Sequence, residues 1–134
     1  MAEPMTLNDP RIVKEIEAAF AGYDEALRTN DVAALNRYFF DSPTTTRFGN
    51  AENLYGYGEI SAYRARAVPA TDAQRERTVI TTYGEDFATV ATLSRRPNAA
   101  PNAAKVGRTM QTWVRFPQGW RIVAAHVSTI DDPR

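Results

Sequence analysis

Cysteine is absent from the 134 residues, and with it go disulfides, thiolate nucleophiles and zinc-thiolate centres. Histidine occurs once, at His126, too few for a histidine-rich metal site. Neither sign of charge is in excess, with 16 Lys plus Arg against 16 Asp plus Glu. No overall field therefore draws the chain to nucleic acid or to an anionic membrane, and any electrostatic function is local. No apolar run reaches the ~18 residues that a bilayer span requires. The first residues, MAEPMTLNDP, lack the basic segment followed by an apolar run that marks an export signal. A cytoplasmic location is the expectation. Also missing are a nucleotide-binding glycine loop, zinc-ligand spacing and a serine nucleophile elbow; Gly56-Tyr57-Gly58 lacks the spacing of a dinucleotide fingerprint. The sequence therefore predicts no cofactor and no metal.

What is present is ordinary for a folded chain: 43% hydrophobic and 24% charged residues. A length of 134 residues suits one domain, 1–134, with a single core.

Asn8 or Asp9 caps a helix that opens at Pro10, where a proline loses no helical hydrogen bond. Val13, Ile16, Phe20, Tyr23 and Leu27 recur at spacings of three and four, which puts them on one face of a helix ending near Asn30. Asp31 caps a shorter helix through about Phe40, stopped by Ser42-Pro43. Thr44 to Phe48 and AENLY, joined at Gly49-Asn50, read as a short hairpin. Tyr57 to about Ala67 reads as a third helix with Tyr57, Ile60 and Arg64 on one face and Pro69 beyond its end. From Arg75 onward the texture is β-branched: ERTVITTY, FATVATLSRR, GRTMQTWVRF and WRIVAAHVSTI are four long antiparallel strands. The proline- and alanine-rich stretch from Arg95 to Lys105 is a loop between two of them. Helices first and a strand meander afterwards predict an α+β domain, with helices covering one face of a curved antiparallel sheet.

A connection over Pro117 to Gly119 pairs Phe116 with Trp120, and an unbroken ladder then sets Val114 beside Ile122, Thr112 beside Ala124, Met110 beside His126 and Arg108 beside Ser128. In that register one face is apolar near the turn and polar at its far end, where Arg108, His126 and Ser128 converge as in a small-molecule site. A core histidine and a sheet-edge arginine are the plainer readings of His126 and Arg108. The opposite face, with Gln111, Trp113, Val123 and Val127, is then the expected homodimer surface. Two further residues have two readings each. Tyr23 lies on the buried helical stripe, as packing or as chemistry. Arg47 sits in a threonine-rich strand, pointing to solvent or inward.

The order of two helices, a hairpin, a third helix and a curved sheet ending in GWRIVAAHVS resembles the SnoaL-like branch of the NTF2-like superfamily, whose fold is a cone. Within it, IVKEIEAAFAGYDEALRTNDVAALNRYFFDSP, TTRFG and LYGYGEISAYRARA resemble the AtzH-like family over most of the chain. The resemblance implies a cofactor-independent decarboxylating amidohydrolase that converts 1,3-dicarboxyurea to allophanate in cyanuric acid catabolism. It also implies a functional tyrosine on the first helix and a functional arginine on the first strand, here Tyr23 in AGYDEAL and Arg47 in TTRFG. Relatives beside other ureide-degrading genes imply an oxalurate-like ureide as an alternative substrate, and the fold equally hosts non-catalytic binding or accessory proteins.

For such a substrate, Arg64 can hold a carboxylate through two parallel hydrogen bonds, with Tyr55 and Tyr57 shaping the rim. Arg66, two positions on, is off that face and reads as a solvated charge or subunit contact. Tyr23 can protonate nitrogen as carbon dioxide leaves while Arg47 steadies the resulting anion. Hydrolysis is the other route, with Tyr23 assisting a water, Arg47 polarising the carbonyl and His126 shuttling a proton. Isomerase chemistry needs a carboxylate base, for which Asp24 and Asp41 are the nearest candidates.

Overall fold

The computed structural model describes residues 4–68, 71–96 and 105–132. Helix α1 (Pro10–Arg28) starts where the Asp9 side chain accepts the Arg11 amide at 3.0 Å, and Pro10 fills its first turn. The hydrogen bond from the Arg11 side chain holds the Asp9 carboxyl below the usual carboxylate range, so the cap stays charged. The buried stripe runs Ile12, Ile16, Phe20, Tyr23, Ala26. It starts at Ile12, one residue before the expected Val13. Helix α2 (Val32–Arg37) is capped by Asp31, whose carboxylate accepts the Ala34 amide at 3.1 Å. It ends before the expected Phe40, because the chain from Tyr38 to Phe40 turns to pair with Ile122: Ile122 donates to the Tyr38 carbonyl at 2.7 Å and Phe40 to the Ile122 carbonyl at 2.9 Å.

The hairpin forms from β1 (Thr46–Phe48) and β2 (Asn53–Tyr55), followed by α3 (Tyr57–Arg66). Gly56 joins β2 to α3 at φ +87°, a conformation that L side chains rarely adopt. Four long strands follow: β3 (Gln74–Tyr83), β4 (Phe87–Arg95), β5 (Lys105–Phe116) and β6 (Gly119–Asp131). They pair antiparallel in chain order, and β1 adds to β6 in parallel, giving one sheet in the order β2-β1-β6-β5-β4-β3. Of the expected loop between Arg95 and Lys105, residues 97–104 lie outside the described residues, as does Pro69. Among the described residues no helix is long and apolar enough to cross a membrane.

The three helices lie against one face of this sheet, an α+β arrangement. Ile16, Phe20, Leu35, Phe39 and Ile60 meet Val90, Trp113, Trp120 and Ile122 there to form the core. Both buried indoles are satisfied, Trp113 by the Gln111 side chain at 2.9 Å and Trp120 by Glu15 at 2.8 Å.

The ladder between β5 and β6 corrects the expected one at a single point. Arg108 opposes Ser128, Met110 opposes His126 and Thr112 opposes Ala124, as the sequence predicts. Trp113 then opposes Ile122, so Val123 has no partner and forms a β-bulge. One unpaired residue exchanges the two faces of β6. Trp120 and Ile122 therefore point into the core with Trp113, Gln111 and Thr109, while Arg108, Met110 and His126 are exposed on the opposite face with Ser128. The face expected to form a dimer is thus the core face: Trp113 is fully buried and Gln111 2% exposed. Val114, expected inward, shares the outer face with its partner Phe87.

The bulge predicts a sharp asymmetry. Deleting Val123 forces either the two apolar residues or the Arg108 end onto the wrong face, and should remove more than about 4 kcal/mol of stability. Val123→Ala keeps the residue count and should cost about 1 kcal/mol or less. Thermal melts followed by circular dichroism compare the two; equal losses would remove the bulge from its assigned role.

Candidate active site

On the sheet's inner face, beyond the apolar core, α1 and α3 stand apart enough to leave a cavity of about 560 Å³. Tyr23, Asp24 and Leu27 of α1, Tyr63 and Arg64 of α3 and Arg47 of β1 line it. Its wall continues across the strands through Val127, Thr109, Ser94 and Arg75. Arginines dominate the charge: Arg28, Arg47, Arg64 and Arg75 line the cavity, with Asp24 the one acidic residue among its described lining residues.

Three of these arginines have partners. Arg28, at the outer margin, pairs with Glu25 on the helix surface. Arg47, 8% exposed, donates to the Glu52 carboxylate at 2.8 Å, across the hairpin from its own strand. Its guanidinium carbon also lies 5.2 Å from the centre of the Tyr63 ring, within reach of a cation-π attraction. Gly49 makes the Glu52 geometry possible, since a Cβ there would collide with the Glu52 carboxylate. Arg75 holds Asp24 from two nitrogens at 3.0 to 3.3 Å, reaches Thr109 at 3.4 Å and lies over the Phe20 ring.

Arg64 differs from these. It is 5% exposed, lines the cavity, and has no hydrogen-bond or ion-pair partner among the described residues. Its guanidinium opens to the cavity rather than onto a protein carboxylate, which leaves its donors available to an anion. Tyr23 is in a related state. Its ring packs near Phe20, Tyr38 and Phe39, with centroids 6.1 to 6.5 Å apart, while its hydroxyl has no partner among the described residues. An unpartnered phenol and an unpartnered guanidinium thus border one space.

The cavity brings together three of the residues singled out in the sequence: Tyr23, Arg47 and Arg64. It does not collect the others. Tyr55 is 60% exposed on the outer face, edge-on to Phe48, and Tyr57 packs against the core rather than the cavity. Arg108 donates to Ser128 at 3.2 Å on the outer face, and His126 sits there edge-on to Phe48. The bulge at Val123 is the reason for this last displacement. Arg66 is exposed, with its guanidinium carbon 5.5 Å from the centre of the Tyr63 ring. Asp41 is exposed in the segment that follows α2, beyond the residues that pair with Ile122. Sequence reasoning missed Tyr63, Arg75 and Thr109, and gave Asp24 only the role of an isomerase base. The available signal was alternation: Thr109 is one residue from Arg108, and with faces exchanged it points inward.

The comparisons agree with this architecture. The AtzH-like family model matches residues 5–133. A cystatin-like fold protein from Burkholderia xenovorans LB400 is 46% identical, covering 96% of this chain and 99% of its own, with TM-score 0.90. A protein of unknown function from the DUF3225 family, from Pectobacterium atrosepticum SCRI1043, is 45% identical over 93% of this chain and 95% of its own, with TM-score 0.86. At the level of fold alone, an NTF2-like protein from Pseudomonas putida KT2440 covers 94% of this chain and 92% of its own at 16% identity and TM-score 0.76. No curated protein matches. With NTF2-like architecture and a family match over nearly its whole length, the chain belongs to the AtzH-like family.

Proposed function

We propose that the cavity is an active site for a carboxylated urea or ureide and that it works at a C–N bond without a cofactor. The observation that carries this reading is the pairing of an unpartnered phenol, Tyr23, with a shielded and unpartnered guanidinium, Arg64, in one cavity beside Arg47. Arg64 seats a substrate carboxylate through its planar fork. Tyr23 supplies a proton at nitrogen. As the bond from nitrogen to an N-carboxy carbon breaks, its electron pair stays on nitrogen, carbon dioxide departs, and the proton from Tyr23 completes the N–H; water returns a proton to the phenolate. Arg47 steadies the negative charge that develops on the urea oxygen and nitrogen during this step. On 1,3-dicarboxyurea, the substrate that family resemblance implies, the product is allophanate; an oxalurate-type ureide, the second candidate, has no N-carboxy group and would need the hydrolytic route instead.

The hydrolytic route draws less support. It needed His126 as a proton shuttle, and His126 lies on the far side of the sheet from the cavity. Decarboxylation requires only groups that line the site.

Glu52 then acts as a positioning residue, through the hydrogen bond that fixes Arg47. We also propose a homodimer, now through the outer sheet face. Phe48, His126, Met110, Ala91 and Val79 form a cross-strand row there, with Met110 60% and Val79 58% exposed. A row without formal charge when His126 is neutral faces its own copy without like-charge repulsion.

Three measurements test these readings. Purified protein incubated with 1,3-dicarboxyurea generated in situ, or with oxalurate, should release product above a protein-free blank by mass spectrometry. Tyr23→Phe should lower kcat by about 100-fold or more, and Arg47→Ala by a similar factor, with folding retained. No acceleration of either compound by the native protein would leave a binding protein in place of an enzyme. Glu52→Gln and Gly49→Ala should each cost about 1 to 3 kcal/mol in urea titrations, since both release the shielded Arg47 from its partner; unchanged midpoints would show that the pair holds nothing. Sedimentation equilibrium should give a dimer that Met110→Glu converts to monomer, and a native monomer at micromolar concentration would rule the interface out.

A further inference from the structure

A urea with two N-carboxy groups must lose one and keep the other, and the cavity does not treat two carboxylates alike. Of the four arginines that line it, Arg28, Arg47 and Arg75 are matched by Glu25, Glu52 and Asp24, and only Arg64 has no counter-charge among the described residues. Arg64 comes from α3 and Arg47 from β1. Arg75 comes from β3, separated from β1 in the sheet by β6, β5 and β4, and it meets Asp24 of α1. A carboxylate seated on Arg64 gains an unshared positive charge. A carboxylate at the Asp24–Arg75 end meets a pair that is already neutral, with Asp24 held from two nitrogens at 3.0 to 3.3 Å.

Decarboxylation moves charge off the carboxylate that leaves. In the transition state the electron pair of the breaking C–N bond passes to nitrogen and the urea oxygen, and the departing group approaches neutral carbon dioxide. A cation paired with that carboxylate binds the ground state more tightly than the transition state, and so raises the barrier. Loss of carbon dioxide from Arg64 breaks an ion pair, whereas loss from the Asp24–Arg75 end breaks none. The lining near that pair points the same way. Leu27 follows Asp24 by about one helical turn, and Val127 lies opposite Thr109, which Arg75 reaches at 3.4 Å. Apolar neighbours suit carbon dioxide better than a carboxylate. Tyr23, the proton donor of the proposed step, directly precedes Asp24 in α1 and lines the same space.

We infer that Arg64 holds the carboxylate that the product keeps, and that the N-carboxy group to be cleaved sits at the Asp24–Arg75 end, where Asp24 masks Arg75 and keeps it from stabilising the leaving carboxylate. The inference rests on the decarboxylase reading of the cavity and adds which end reacts. The balance of the step is unchanged: the C–N electron pair stays on nitrogen, nitrogen takes the Tyr23 proton, and carbon dioxide leaves. Asp24 acts through Arg75 and is a positioning residue rather than a base.

Two stable probes separate the ends. Glutarate has the main-chain length of 1,3-dicarboxyurea with a carboxylate at each end; malonamate has that of allophanate, with one carboxylate and a terminal amide. By isothermal titration the second carboxylate should add nothing on the native protein, so glutarate binds within about threefold of malonamate. Asp24→Asn unmasks Arg75, and glutarate should then bind at least tenfold more tightly while malonamate is unchanged. With 1,3-dicarboxyurea the same variant should lower both kcat and KM, each by about tenfold or more, a pattern that marks lost ground-state destabilisation. A merely structural Asp24 would instead weaken both probes and raise KM. That result would overturn the inference, as would glutarate binding the native protein more than about threefold tighter than malonamate, a comparison that decides the matter even where the variant does not fold. If the native protein releases carbon dioxide from 1,3-dicarboxyurea while these shifts fail, the decarboxylase reading stands and only the assignment of ends is lost. If it releases none, that reading fails and the inference falls with it.

Discussion

At Val123 the ladder between β5 and β6 loses one pairing, and the faces of β6 change over there. A strand that is polar at one end of a face and apolar at the other cannot serve a core and a solvent surface with unbroken alternation. One unpaired residue resolves the conflict: Trp120 and Ile122 enter the core, and after the bulge Ala125 packs against it and Val127 lines the cavity, in place of Ala124, His126 and Ser128. The segment Tyr38 to Phe40 pairs with Ile122 beside the bulge, so the irregular stretch of β6 is held from both sides. Bulges bend strands and increase their twist, which suits a sheet that must curve around a cavity.

Charge compensation is the second organising feature, and it is met locally wherever the chain allows. Arg47 and Glu52 are five residues apart across a hairpin turn, so the hairpin brings its own counter-charge, with Gly49 leaving room for the carboxylate. Arg75 and Asp24 are 51 residues apart, so that pair exists only once α1 has docked on the sheet. The first pair is a property of a short segment and the second a property of the assembled fold.

Much of this was legible in the sequence because helical periodicity is robust to small errors. The α1 stripe placed Tyr23 inward, and the single helical face of α3 put Arg64 on the side of Ile60, which is where both are buried. The α+β order and the strand meander followed from composition and turn residues. Arg47 was ambiguous by alternation alone, and family resemblance rather than periodicity singled it out. What could not be read was the face of β6 and β5, because period-two patterns carry no redundancy: one bulge reverses every later residue. His126, Arg108 and Ser128 moved outward together for that single reason, and Thr109 came inward with its neighbours. Asp24 was misread differently. Its place beside the buried stripe was recognised, but its partner Arg75 lies in a distant strand, and no local pattern links the two.

Taken with the core, these facts explain why a domain this small can hold four arginines around one cavity. Shielded charges are tolerated when paired, and three of the four are paired before any ligand arrives. Only Arg64 is held in place without ion pairing, on a helix whose inner face is anchored by Ile60 at 1% exposure. Under the proposed function, a substrate carboxylate is the group that would give Arg64 the counter-charge that the described residues do not supply.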